Sequence, residues 1–201
     1  MMISSRFAVS LVLLLAGNAA AQQKHRDPLS DLEIDQLRDA AQLPEVRLKL
    51  YVDYARARLD KLQQVRADTK ATDTKATDTK AADTKAEDRG QQTRDALQEF
   101  LDIYDELDTN VDTFADRNQD LRKALKPVIE ADTEFGSKLR AFKASLASTP
   151  QEAESYAFLL GTALDTVDGA AKDHRDLLAE QEETFKHTKK QGHGEDSKPP
   201  E

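Results

Sequence analysis

The chain has 201 residues, with 38 Asp and Glu against 29 Lys and Arg, a formal net charge of −9 and no cysteine. Such acidity argues against nucleic acid and anionic headgroups as partners, and the missing cysteine removes disulfides, thiol catalysis and a lipidated cysteine. With 5% aromatics, no tryptophan and seven glycines, the composition predicts solvated helices with narrow apolar seams in place of a thick β core.

Residues 1–21 read as a signal peptide. Arg6 precedes an apolar run from Phe7 to Ala16, and Ala19 and Ala21 fit a small-residue cleavage pattern with Gln22 as the new N-terminus. The run is about half the ~20 residues needed to span a bilayer. The expectation is therefore a periplasmic or extracellular protein, cleaved after Ala21, with no stable membrane insertion afterwards. Cleavage removes Arg6 and no acid, taking the charge from −9 to −10.

Residues 22–29 are polar and predict a flexible N-terminus. Ser30 and Glu33 then form a capping box, with Leu29 and Ile34 at the spacing of a hydrophobic staple. A first helix runs to about Gln42. Pro44 suits the first turn of a second helix to about Arg66, where Leu48, Tyr51, Ala55, Leu59 and Leu62 share one face. Residues 30–66 thus hold helices one and two.

Residues 67–90 repeat a unit of Ala, Thr, Asp and Lys. Five residues turn a helix by about 500°, so each unit is displaced by roughly 140° and no apolar face accumulates. The segment predicts a solvated low-complexity linker, frayed helix or coil.

From Leu97 to Leu146 the pattern changes to unbroken steps of 3 and 4, with Asn118 and Asp132 the two polar members. A heptad sustained this long predicts a coiled-coil seam. Pro127 lies beside it and predicts a kink or split near Leu125. Asn118 and Asp132 fit register control. Thr149, Pro150 and Glu152 mark another helix start, and the 3,4 rhythm resumes from Ala157 through His174 to Phe185. So short a connection predicts antiparallel neighbours. Gly161 and Gly169 share a face of this helix and suggest close helix approach. Residues 188–201 predict a disordered tail. The expected fold is all-α: an elongated antiparallel bundle of three main helices, with the hairpin 91–187 receiving helix 44–66. Helix 31–42 is expected across one end or as a kinked extension.

Charge supplies the one candidate surface. Between Asp95 and Asp116 lie eight acids and no Lys or Arg, whereas 44–66 carries six basic residues and three acids. Complementarity between the two helices is the simplest use of that pattern. The surplus acid leaves a candidate interaction face at Asp102, Asp105, Glu106, Asp108, Asp112 and Asp116. The stretch from Asp108 to Asp112 imitates the start of a calcium loop, but Thr113 and Gln119 stand where Gly and Glu are required. The Glu-x-x-His motif of bundle metal sites is missing, and of His25, His174, His187 and His193 just His174 falls on a seam, where it reads as a polar layer. Nucleophile elbows and phosphate loops are also missing, so no catalytic, cofactor or metal residue is assigned. The expected function is non-enzymatic: protein interaction, scaffolding or chaperone-like binding, with other envelope proteins or a second copy as partner. Cation or small-ligand binding on the 95–116 face is the alternative.

Overall fold

A computed structural model describes residues 27–72 and 79–191. They form five helices and no strand: α1 Asp31–Asp39, α2 Pro44–Thr72, α3 Thr79–Asp116, α4 Arg122–Ser145 and α5 Pro150–Gln191. No helix among the described residues is long and apolar enough to cross a membrane. The signal peptide expected over 1–21, and residues 192–201 of the expected tail, lie outside the described residues.

Side-chain contacts fix the arrangement. Arg47 of α2 donates to Asn110 of α3, while Arg58 meets Glu99, so α2 and α3 are antiparallel. Arg56 meets Glu134 and Asp60 meets Lys138, so α2 and α4 run parallel. Asp132 faces His174 and Arg140 faces Asp168, which makes α4 and α5 antiparallel, as the short 146–149 connection predicts. Helix α5 also packs along α3, and neither α2–α5 nor α3–α4 is a close backbone neighbour. The order around the bundle is α2, α3, α5, α4, with the α3–α4 connection crossing the diagonal.

Four long helices replace the expected three. The helix expected over 91–147 stops at Asp116 and restarts at Arg122. Pro127 is not the breaker. It sits inside an unbroken α4, and both Pro127 and Lys123, whose carbonyl loses its helical donor, are exposed to water. The break is made by Asn118, at φ 55, the one non-glycine residue with positive φ among those described. Asn118 N–H donates to the Ala115 carbonyl and Gln119 N–H to that of Phe114, a Schellman closure with Asn in the left-handed position. Asn tolerates that position better than any other residue except glycine. Asn118 is thus an exposed helix stop, and the register role expected for it is corrected. Gln181 of α5 holds the break open: its Oε1 accepts from Leu121 N–H at 2.7 Å and its Nε2 donates to the Gln119 carbonyl at 3.0 Å.

The 3,4 positions on either side of the break are buried. Phe100 and Tyr104 of α3 stack at 5.7 Å between centroids, and Phe135 of α4 meets both edge-on at 5.6 and 6.1 Å. All three are fully buried, each worth about 1.5–3 kcal/mol over exposure. Leu48, Leu59 and Leu62 of α2 complete this core.

Helix α1 neither crosses an end nor extends α2. It folds back along α2, capped by the box at Ser30 and Glu33. Arg58 donates to Glu33 at 2.9 Å and to the Pro28 carbonyl, Tyr54 donates to Gln36, and Arg47 reaches the Leu37 carbonyl. These ties explain the direction: the arginines of α2 satisfy α1 as well as α3. At the opposite end Arg66 donates to Glu152, to the Ser145 carbonyl and to Thr149, locking the α4–α5 turn onto α2.

The repeat does not stop the helices where its composition suggests. Helix α2 continues to Thr72 and α3 begins at Thr79. Once nucleated, a helix gains one bond per residue added, and Ala and Lys sustain it. Helix α5 likewise runs four residues past the expected end at 187, to Gln191.

Candidate functional site

The seam of α3 is apolar except where it meets the seams of α4 and α5. There Tyr104, Asp132 and His174 meet in the bundle interior, exposed by 0, 1 and 1%. Tyr104 hydroxyl donates to Asp132 Oδ1 at 2.6 Å. His174 Nδ1 lies 2.9 Å from Asp132 Oδ2, so both oxygens of the buried carboxylate are engaged. The other ring nitrogen, Nε2, lies 3.2 Å from Asp108 Oδ1, whose side chain reaches the surface. One line of polar contacts therefore leads from the core to solvent, through α3, α4, α5 and back to α3.

Its electrostatics follow from burial and pairing. Burial alone would press His174 toward its neutral form. Asp108 and Asp132 outweigh that and hold its pKa up to about 9, so the ring is an imidazolium at neutral pH. Burial, reinforced by the Asp132 charge, pushes the Tyr104 hydroxyl far above the ordinary phenol range. Tyr104 is a fixed donor. Asp132 is buried, and Pro127 does not shift it to the surface.

The acidic face sits over this line. Asp105, Asp108, Asp112 and Asp116 recur at helical spacing and form one stripe of α3, and Asp173 of α5 joins it. Burial, followed by Asp102, Asp108 and Glu106, pushes the Asp105 carboxyl up. Burial, followed by Asp108 and Asp116, does the same to Asp112, with His174 pulling the other way. Asp102 lies at the margin and accepts from Gln98. Glu106 is turned toward α2, where its charge acts on Tyr51. The structure thus gathers four of the six candidates and sets two apart. The stretch Asp108–Asp112 lies within α3, so it is no calcium loop.

Complementarity between α2 and α3 is narrower than the charge count suggests. Glu99 takes Arg58 and Lys61, but Arg56 turns to Glu134 of α4 and Arg66 to Glu152 of α5. A depression at the α3–α4 connection is lined by Asp120, Arg122, Lys123, Lys126, Glu182 and Lys186. Its charges oppose one another, and the Arg122 guanidinium is already shared between Asp120 and the Phe185 ring, 4.2 Å away.

Sequence reasoning placed His174 and Asp132 on seams but did not join them, and it read Tyr104 as an apolar seam residue. The usable signal was that both are polar residues on seams predicted to face each other. No protein-family model, no curated protein and no solved structure matches the chain.

Proposed function

We propose that this is a periplasmic or secreted helical-bundle protein that works by presenting its outer surfaces to other proteins, as a scaffold or chaperone-like binder, without turnover of a substrate. The observation that carries this reading is where large apolar side chains are left outside the core. Leu32, Leu43 and Val46, exposed by 69, 55 and 47%, lie on the α1–α2 hairpin, and Phe158, exposed by 82%, stands apart from them on α5. Helix α2 packs its other face into the core, and these three apolar positions point away from it, free for a partner. A second copy of the chain is the other partner of this reading. Photo-cross-linking in intact cells from Leu32 and Leu43 tests it. Discrete protein adducts that vanish with Leu43→Ser are expected. Saturable substrate turnover abolished by one substitution would overturn it.

The second reading is cation binding on the α3 stripe. It is favoured by Asp105 and Asp112, whose carboxyls are pushed up by burial and by their acidic neighbours. Calorimetry with calcium on the protein and on its Asp105→Asn, Asp112→Asn variant tests that reading.

A further inference from the structure

We propose that His174 Nε2, Asp108 and Asp112 form a site for one divalent first-row metal ion of the Zn2+ type, at the seam between α3 and α5. The proposal rests on the second reading above and narrows it from a charged face to one imidazole and two carboxylates.

The first argument is geometric. His174 Nε2 is buried and has no hydrogen-bond partner, although Asp108 Oδ1 is 3.2 Å away. Close approach without a hydrogen bond means the N–H axis passes beside the oxygen. Two ligands held about 2.0–2.2 Å from one ion, at octahedral to tetrahedral angles, stand roughly 3.0–3.4 Å apart. The observed spacing falls within that interval, so the two atoms are spaced as neighbouring ligands of one ion are.

The second argument is the support behind the ring. Metal-binding imidazoles almost always give their other nitrogen to a carboxylate or carbonyl, which fixes tautomer and tilt. Here Nδ1 meets Asp132, and Tyr104 pins the opposite oxygen of that carboxylate.

The third argument is the supply of further oxygen. Asp112 lies one turn beyond Asp108 on the same face, is exposed, and already feels the His174 charge. Among the described residues no three His, Asp or Glu side chains yet close around one point, so Asp112 must change rotamer to complete the set. Asp108, 43% exposed at its side chain, leaves the approach open. Two carboxylates neutralise the ion, and the imidazole favours Zn2+ or Co2+ over the all-oxygen preference of Ca2+ and Mg2+. Binding displaces the proton on Nε2, which goes to solvent.

The test is titration of the full chain with Co2+, followed by visible absorption and calorimetry, with Zn2+ as competitor. One equivalent should give a d–d band that Zn2+ removes. D112N, a surface change that leaves the fold intact, should weaken binding about tenfold or more. D132N, which touches no metal, should weaken it about 10–100-fold through ring positioning. A double variant of His187 and His193 to Gln should bind as the parent does. The proposal is overturned if millimolar Co2+ and Zn2+ give neither band nor heat, or if binding survives in D108N and in H174Q while circular dichroism shows both folded. If Ca2+ binds the stripe but Co2+ gives no band, this site fails and the acidic-face reading stands. If neither ion binds, both fall.

Discussion

His174 of α5 and Asp132 of α4 meet with Nδ1 and Oδ2 2.9 Å apart, both residues 1% exposed. A pair at this depth is costly to break and not costly to replace. Asp132→Asn leaves an imidazolium without its buried counter-charge and should destabilise by about 3 kcal/mol, near the low end for such breaks. Replacing Asp132 and His174 together by leucine should cost far less, or stabilise. Urea unfolding of the three proteins measures both. Equal losses in the single and double variants would show that packing, not charge pairing, governs this layer.

The same pair sets an alkaline limit in protein stripped of divalent ions. The folded pKa of His174, about 9, lies above the ordinary 6.5, so its contribution is fully present below 6.5 and is lost as pH rises through 9. The loss should be on the order of 3 kcal/mol, read as a falling urea midpoint between those limits. H174Q should flatten the profile there.

Acid acts elsewhere, on α1. Burial alone would raise Glu33, but Arg58 and Ser30 outweigh it and bring its pKa down to about 2 from 4.5. A depressed carboxylate stabilises above 4.5, and that contribution disappears as pH falls through 2. Because α1 packs on α2 alone, it should detach before the bundle melts. Amide exchange at Asp31–Asp39 should speed up in that window while α4 stays protected. E33Q should show the fast exchange at neutral pH too.

Two glycines of α5 should yield stability. A Cβ at Gly161 or Gly169 would meet nothing within 4 Å, so close helix approach does not explain either residue. Gly161→Ala and Gly169→Ala should each raise stability by about 1 kcal/mol, measured by thermal melting. Gly136→Ala should not, because its Cβ would stand 2.8 Å from Nη1 of Arg140, whose Nη2 bridges to Asp168.

What the sequence made legible was local. The capping box at Ser30, the turn at Thr149–Pro150 and the buried phase of Leu97–Leu146 each depend on residues within a few positions. The stripe Asp105, Asp108, Asp112 and Asp116 follows from helical spacing alone. The break at Asn118 was hidden because Asn at a seam position fits a polar layer as well as a left-handed stop. What decides between them is Gln181, about sixty residues away in sequence and visible only once α5 is docked. The contact of Tyr104 with Asp132 was hidden for a similar reason, since it crosses a diagonal that a two-helix seam does not possess.

That diagonal connection has a further consequence. The 3,4 rhythm passes through 117–121 without a slip, so the sequence on both sides suits one continuous rod of about 100 Å from Thr79 to Ser145. One residue, Asn118, and one clasp, Gln181, hold the folded-back form. Were that corner to straighten, α4 and α5 of one molecule would lodge on α2 and α3 of another, rebuilding every core contact between two chains. Monomer and exchanged pair then share one interior and differ at a single hinge, and protein concentration sets their ratio.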